Sequence, residues 1–272
     1  MRYPPIVFLG GYTKSGTTFL GRVLEAFEGV YSRGEMDYLR IFASSLANMY
    51  ADFNSNIEIV NEEVYDGQGA LKPIPAERQM AMQRALFFDL FFNGEPIPND
   101  CRVVIEKSPR NLFNYPAAKE LSVPINYINI YRPVMPVYKS LIRHLADHRS
   151  EEYHDPESEP RQTTLERFVT RWNRHVDILE YLSGKALLVQ YEAITADLGG
   201  FLDFAATRIF QDQLRRIKDP EDLTKEAYLA SLPPEKRAKS LVQTATTHIE
   251  LSAFEKQRLE NDCKAPNIVF DF

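Results

Sequence analysis

Residues 6–27, IVFLGGYTKSGTTFLGRVLEAF, place the strongest constraint on what this chain can fold into. The first five, IVFLG, form a short continuous apolar run of the kind that a strand buried on both faces requires. FLGRVLEAF at 19–27 repeats apolar residues at helical spacing. Between them runs Gly10-Gly11-Tyr12-Thr13-Lys14-Ser15-Gly16-Thr17-Thr18, a glycine-rich connection from strand to helix. Strand, tight loop and helix in that order predict an α/β domain. Such a loop also brings several backbone N–H groups to a helix N-terminus, where the positive end of the dipole favours a phosphate. Lys14, Ser15, Thr17 and Thr18 are poor choices for a turn that only packs a helix on a strand.

The rest of the chain continues the alternation. Residues 38–92 read mostly as helix, through YLRIFASSLANMY and MAMQRALFFDLFF, until Pro96 and Pro98 break the chain. RVVIE at 102–106 predicts a second strand, INYINIY at 125–131 a third and KALLVQYE at 185–192 a fourth. NLFNYPAAKEL offers a short helix between the second and third. VYKSLIRHLADH follows Pro133 and Pro136 as another helix, and a further helix spans about 163–182 with Trp172, the single tryptophan. SEEYHDPESEP at 150–160 reads as a loop. The C-terminal third reads as helical apart from a polar segment near 231–247, and ends in an apolar IVFDF. The expectation is a doubly wound parallel sheet in one domain over 1–272, with 38–100 as a helical insertion on it.

Composition narrows the classes of function. Hydrophobic residues make up 44% and charged residues 26% of 272, which excludes a wholly disordered chain. The net charge of −6 argues against a sequence-independent nucleic-acid binder. The most apolar windows, such as LFFDLFF at 86–92, fall far short of the ~20 residues of a membrane span. No secretory leader is visible, and Cys101 and Cys263 cannot form a disulfide framework. A cytoplasmic protein with no membrane or nucleic-acid partner is expected. Oligomeric state is not legible.

Gly11 and Gly16 have the spacing of the ATP-binding loop G-x-x-x-x-G-K-[ST], with Thr18 at the hydroxyl position. Position 17, however, is Thr where that loop needs Lys, and the lysine sits inside the loop at 14. GYTKSGTTFL instead resembles the 5′-phosphosulfate loop of sulfotransferases that use 3′-phosphoadenosine 5′-phosphosulfate (PAPS). Thr13 stands where many members have Pro. Tyr131-Arg132-Pro133, with Ser140 eight residues after Arg132, is similar to that family's 3′-phosphate element R-x-P…S. An Arg fork and a Ser hydroxyl can grip one phosphate from two sides. Glu106-Lys107-Ser108-Pro109 and Val189-Gln190-Tyr191-Glu192 resemble two further family elements, so the likeness runs from about 6 to 192.

The resemblance implies a P-loop-like three-layer fold and a PAPS-dependent transferase that yields 3′,5′-adenosine bisphosphate and needs no metal. It implies that Lys14 stands at the bridging oxygen, with Ser15, Gly16, Thr17 and Thr18 around the 5′-phosphate. Arg132 and Ser140 would take the 3′-phosphate, and Ser240 in Arg237-Ala238-Lys239-Ser240 would close over it. Tyr191 would either sit beside the adenine or only finish a strand. Lys107 would be a second cation at the sulfonate, or else a plain strand-end lysine.

An acceptor hydroxyl needs a base within hydrogen-bond reach. None of the five histidines, His144, His148, His154, His175 and His248, lies where steroid- and phenol-modifying members carry theirs. Glu35 in Ser32-Arg33-Gly34-Glu35-Met36 resembles the G-E element that supplies the base in tyrosylprotein and several bacterial members. A strand there would point it into the cleft. Asp37 and Glu106 are rival bases, and Glu106 is expected to pair with a cation such as Arg102 or Lys107. His144 reads as a helix-face residue. Phe87, Phe88, Phe91, Phe92 and Trp172 read as core.

Two other readings remain at this level. A P-loop kinase or NTPase would need a metal-holding Asp at a strand end, which neither RVVIEK nor INYINIYR supplies. A non-catalytic nucleotide binder would have no need of a base. The net acidity points to a small neutral or cationic hydroxyl or amine compound as acceptor.

Overall fold

The computed structural model describes residues 3–69, 71–120, 125–223 and 249–272. Ser240 lies outside the described residues. Five parallel strands form the sheet in the order β2-β3-β1-β4-β5: β1 Ile6–Gly11, β2 Val30–Arg33, β3 Val103–Lys107, β4 Ile125–Tyr131 and β5 Leu187–Gln190. β1 is central, with Ile6 in register with Val104 on one side and Ile125 on the other.

Strand alternation sends the two faces into different cores. Val7, Leu9, Ile105, Ile128, Ile130 and Val189 face a cluster built with α1 (Thr17–Leu24), α7 (Tyr191–Ala196) and α8 (Leu198–Phe204). Ile6, Phe8, Val104, Tyr127, Tyr131 and Leu188 face a larger cluster. Its helices are α3 (Ala76–Phe92), α5 (Val134–His148), α6 (Glu159–Leu182) and α9 (Ala253–Asp262). The result is a three-layer α/β fold of the P-loop-like kind. α2 (Ser44–Tyr65) and α3 fill the chain between β2 and β3, and α4 (Tyr115–Glu120) precedes β4. Phe87, Phe88, Phe91, Phe92 and Trp172 are all buried, as the aromatic pattern predicts.

Two sequence expectations need correction. The strand expected over 185–192 is shorter, because Tyr191 and Glu192 already belong to α7. The expected loop at 150–160 holds a 3₁₀ turn, Glu151–His154, and the first residues of α6. The C-terminal IVFDF runs along β5, where Gln190 N–H donates to the Phe272 carbonyl and Asp271 N–H to the Leu188 carbonyl. That pairing blunts a sheet edge that would otherwise be open.

His175 is fully buried among Tyr12, Trp172 and Tyr131, and neither ring nitrogen has a hydrogen-bond partner. Burial pushes its pKa down to about 3. The unfolded chain, with a His pKa near ~6.5, binds this proton while the native state does not. The stabilising effect is therefore complete above pH 6.5 and is lost as pH falls toward 3, at about 1.4 kcal/mol per unit. Urea unfolding at several pH values should show that slope in the wild type and a shallower one in His175→Phe.

Candidate active site

All five strands are parallel, so their carboxyl ends share one edge of the sheet, where open α/β sheets bind ligands. Each of those ends delivers a candidate residue. Lys14 follows β1 and Glu35 follows β2. Lys107 ends β3, Arg132 follows β4 and Tyr191 follows β5. Ser140 lies farther along, within α5 and partly exposed.

The loop after β1 is built by two unusual backbone conformations. Lys14 has φ 74 and Gly16, the N-cap of α1, has φ 106. Gly16 answers a second demand: a Cβ there would lie 2.4 Å from the Tyr191 ring. No side chain caps α1, so its first amides are left for a ligand. Ser15 is fully buried, and its Oγ has no hydrogen-bond partner. A buried hydroxyl without a partner at a helix N-terminus suits an anion's oxygen.

The Lys14 ammonium is half-buried, and desolvation lowers its pKa, with the nearby Glu35 carboxylate opposing that shift. Lys107 Nζ reaches across to Thr18 Oγ1 at 3.1 Å, which draws a second ammonium to the start of α1. Burial lowers the His144 pKa, and the Lys14 charge adds to that shift. The helix-face histidine therefore lies within electrostatic reach of the same lysine.

Glu35 is exposed and lies beyond the end of β2, so the strand itself does not aim it. The backbone beside it is held by its neighbours instead. Met36 N–H donates to Glu106 Oε1 at 3.2 Å, and Asp37 N–H donates to Ser108 Oγ at 3.0 Å. Glu106 is fully buried, and it accepts from Ser108 Oγ and, at 2.5 Å, from Asn111 Nδ2. The expected cation partner, Arg102 or Lys107, is not among its contacts: neutral donors hold this carboxylate. Desolvation raises its pKa despite those bonds. Asp37 Oδ2 is shared between Arg40 at 2.9 Å and Arg110 at 3.5 Å. Of the three candidate bases, Glu106 is enclosed and Asp37 is engaged, whereas Glu35 stands open beside Lys14.

Arg132 has partners of its own. Its guanidinium lies over the Tyr191 ring at 4.5 Å, and Nε is 3.4 Å from Glu192 Oε1. Tyr191 is thus neither a strand end nor a free platform; its ring is wedged between Gly16, Phe19 and Arg132. Sequence reasoning missed the Glu106–Ser108–Asn111 clamp, although Glu106-Lys107-Ser108-Pro109 had marked the place. Asn111, three residues beyond Ser108 in a 3₁₀ turn, gave no periodic signal. Among the described residues, no group of three or more His, Cys, Asp or Glu could hold a metal ion, and no helix is long and apolar enough to cross a membrane.

A family model described as Sulfotransferase family matches residues 5–203. Among solved structures, the chain is similar to the sulfotransferase domain from the Synechococcus PCC 7002 olefin synthase. The identity is 17% and the TM-score 0.46, with 95% of this chain and 94% of that chain covered. No curated protein matches the chain.

Proposed function

The chain belongs to the sulfotransferase family, and from that premise we propose that it transfers a sulfuryl group from PAPS to a hydroxyl or amine of a small acceptor. What supports the donor most is the loop after β1, with an unpartnered buried Ser15 hydroxyl, uncapped α1 amides and two lysines converging on it. The bound donor would supply the sulfuryl group and a phosphate leaving group.

The residues divide the work by position. Lys14, Ser15, Gly16, Thr17 and Thr18 would hold the 5′-phosphate, with the Lys14 ammonium offsetting negative charge at the oxygen that departs. Lys107, tethered to Thr18, would place its charge on the equatorial oxygens. Arg132 and Ser140 would take the 3′-phosphate, Arg132 keeping its stacking on Tyr191. Glu35 would accept the acceptor's proton as the new S–O or S–N bond forms. Glu106 is a positioning residue, since it fixes the backbone next to Glu35 without touching the reacting atoms. A site with cations so placed needs no hard metal in this reading, and cytoplasmic residence fits the two free cysteines.

Thermal unfolding separates this reading from a P-loop kinase. Metal-free 3′,5′-adenosine bisphosphate at ~100 times its Kd should stabilise by about 2.7 kcal/mol, a Tm rise of about 5–10 °C. A response to ATP–Mg alone would overturn the donor assignment.

A further inference from the structure

We propose that the acceptor carries an oxyanion, carboxylate or phosphate, seated by Arg171 and Arg174 of α6 together with Arg110. This deepens the reading above and rests on it for the location of the acceptor. It also reverses the expectation drawn from net charge, that the acceptor is neutral or cationic.

The net charge of −6 is unevenly spread. Residues 41–71 hold Asp52, Glu58, Glu62, Glu63 and Asp66 with no Lys or Arg. On α6, three of the acids are used structurally. Glu166 binds Arg258, Asp177 binds Lys264, and Glu180 accepts from Asn267 N–H, all tying down the C-terminal segment. The basic residues Arg167, Arg171 and Arg174 recur one helical turn apart, are exposed, and have no acidic partner among the described residues.

That stripe borders the reactive corner. Between Arg171 and Arg174 on the helix, Trp172 packs on Tyr12, two residues before Lys14, at 5.3 Å. The Arg171 charge also acts on the Tyr12 hydroxyl. The Arg174 guanidinium lies 5.3 Å from the centre of the Phe113 ring. Phe113 is 38% exposed and sits in the 3₁₀ turn Pro109–Asn114, directly after Lys107 and Ser108. Arg110 in the same turn shares Asp37 with Arg40, two residues from Glu35. Arg40 and Arg110 thus share one carboxylate, Asp37, two residues from Glu35, while Arg174 stands over Phe113 of the same turn as Arg110, with Arg171 one helical turn before it. Guanidinium forks match planar or tetrahedral oxyanions, and the half-exposed Phe113 offers an apolar surface beside them.

The test uses the full chain saturated with 3′,5′-adenosine bisphosphate, so that the phosphate loop is filled. Calorimetric titrations compare 4-hydroxyphenylacetate, 4-hydroxybenzylphosphonate and tyramine, which share a phenol and differ in the charged group. Both anions should bind at least tenfold more tightly than tyramine. Arg171→Gln with Arg174→Gln should erase that preference without changing bisphosphate affinity, which also reports that the variant is folded. Arg215→Glu, far from the site and paired with Glu28, should leave it intact and so exclude a general field effect. Preference for one anion over the other identifies carboxylate or phosphate as the seated group. The proposal is overturned if tyramine binds as well as the anions, if the double variant keeps the preference, or if neither anion binds. Failure of the bisphosphate to bind would instead sink the donor reading.

Discussion

Glu35→Gln is expected to lower turnover by about 10²–10⁴-fold, the usual range for loss of a general base, while changing affinity for 3′,5′-adenosine bisphosphate less than about twofold. The substitution keeps the shape of the side chain and removes its basicity. The backbone bonds that place it, from Met36 and Asp37 to Glu106 and Ser108, are untouched. Lys14 would lose a neighbouring negative charge that favours its protonated form, so its pKa should fall further. That side effect is small at neutral pH and weakens phosphate binding, if anything. Single-turnover chemistry and equilibrium binding separate the two effects. Turnover within threefold of wild type would remove Glu35 from the mechanism and return Asp37 to consideration.

How legible was this site in the sequence? The strands that are buried on both faces, β1, β3 and β4, announce themselves as apolar runs, and the loop after β1 carries its chemistry in consecutive residues. Lys14, Lys107, Arg132 and Tyr191 are therefore found by reading along the chain, because each sits within three residues of a strand end. What connects strand ends to one another is not written locally. The sequence sets a cation, Arg102 or Lys107, beside Glu106; in the fold three neutral donors, one of them the Met36 amide 70 residues away, hold it instead. Net charge is uninformative here for a related reason. It sums acids on α2 with arginines on α6, two separate elements of the fold.

The largest expected loss of stability comes from a pair that no motif marks. Glu255→Ala should destabilise the fold by about 3–5 kcal/mol, because it leaves Arg161 as an uncompensated buried charge. Arg161 is 1% exposed, and its Nε and Nη2 donate to the two Glu255 oxygens at 2.8 Å each. Tyr138 of α5 donates to the same carboxylate at 3.1 Å. Glu255 also accepts from Ser252 N–H in a capping box that starts α9. One carboxylate thus joins α5, α6 and the start of α9, and Ala removes all of these acceptors together. Replacing both partners, Arg161→Leu with Glu255→Leu, should cost less than the sum of the single changes, since no lone charge remains. It should still not be neutral, because Arg161 also donates to the Tyr153, His154 and Glu250 carbonyls, which would be left short of a donor. Urea midpoints for the two single variants and the double variant give the coupling directly. Strict additivity would show that the pair contributes only as separate side chains. A coupling of a few kcal/mol would show that α6, whose other turns carry Trp172 packed on Tyr12 and the exposed Arg171 and Arg174, is fixed in place by this buried ion pair.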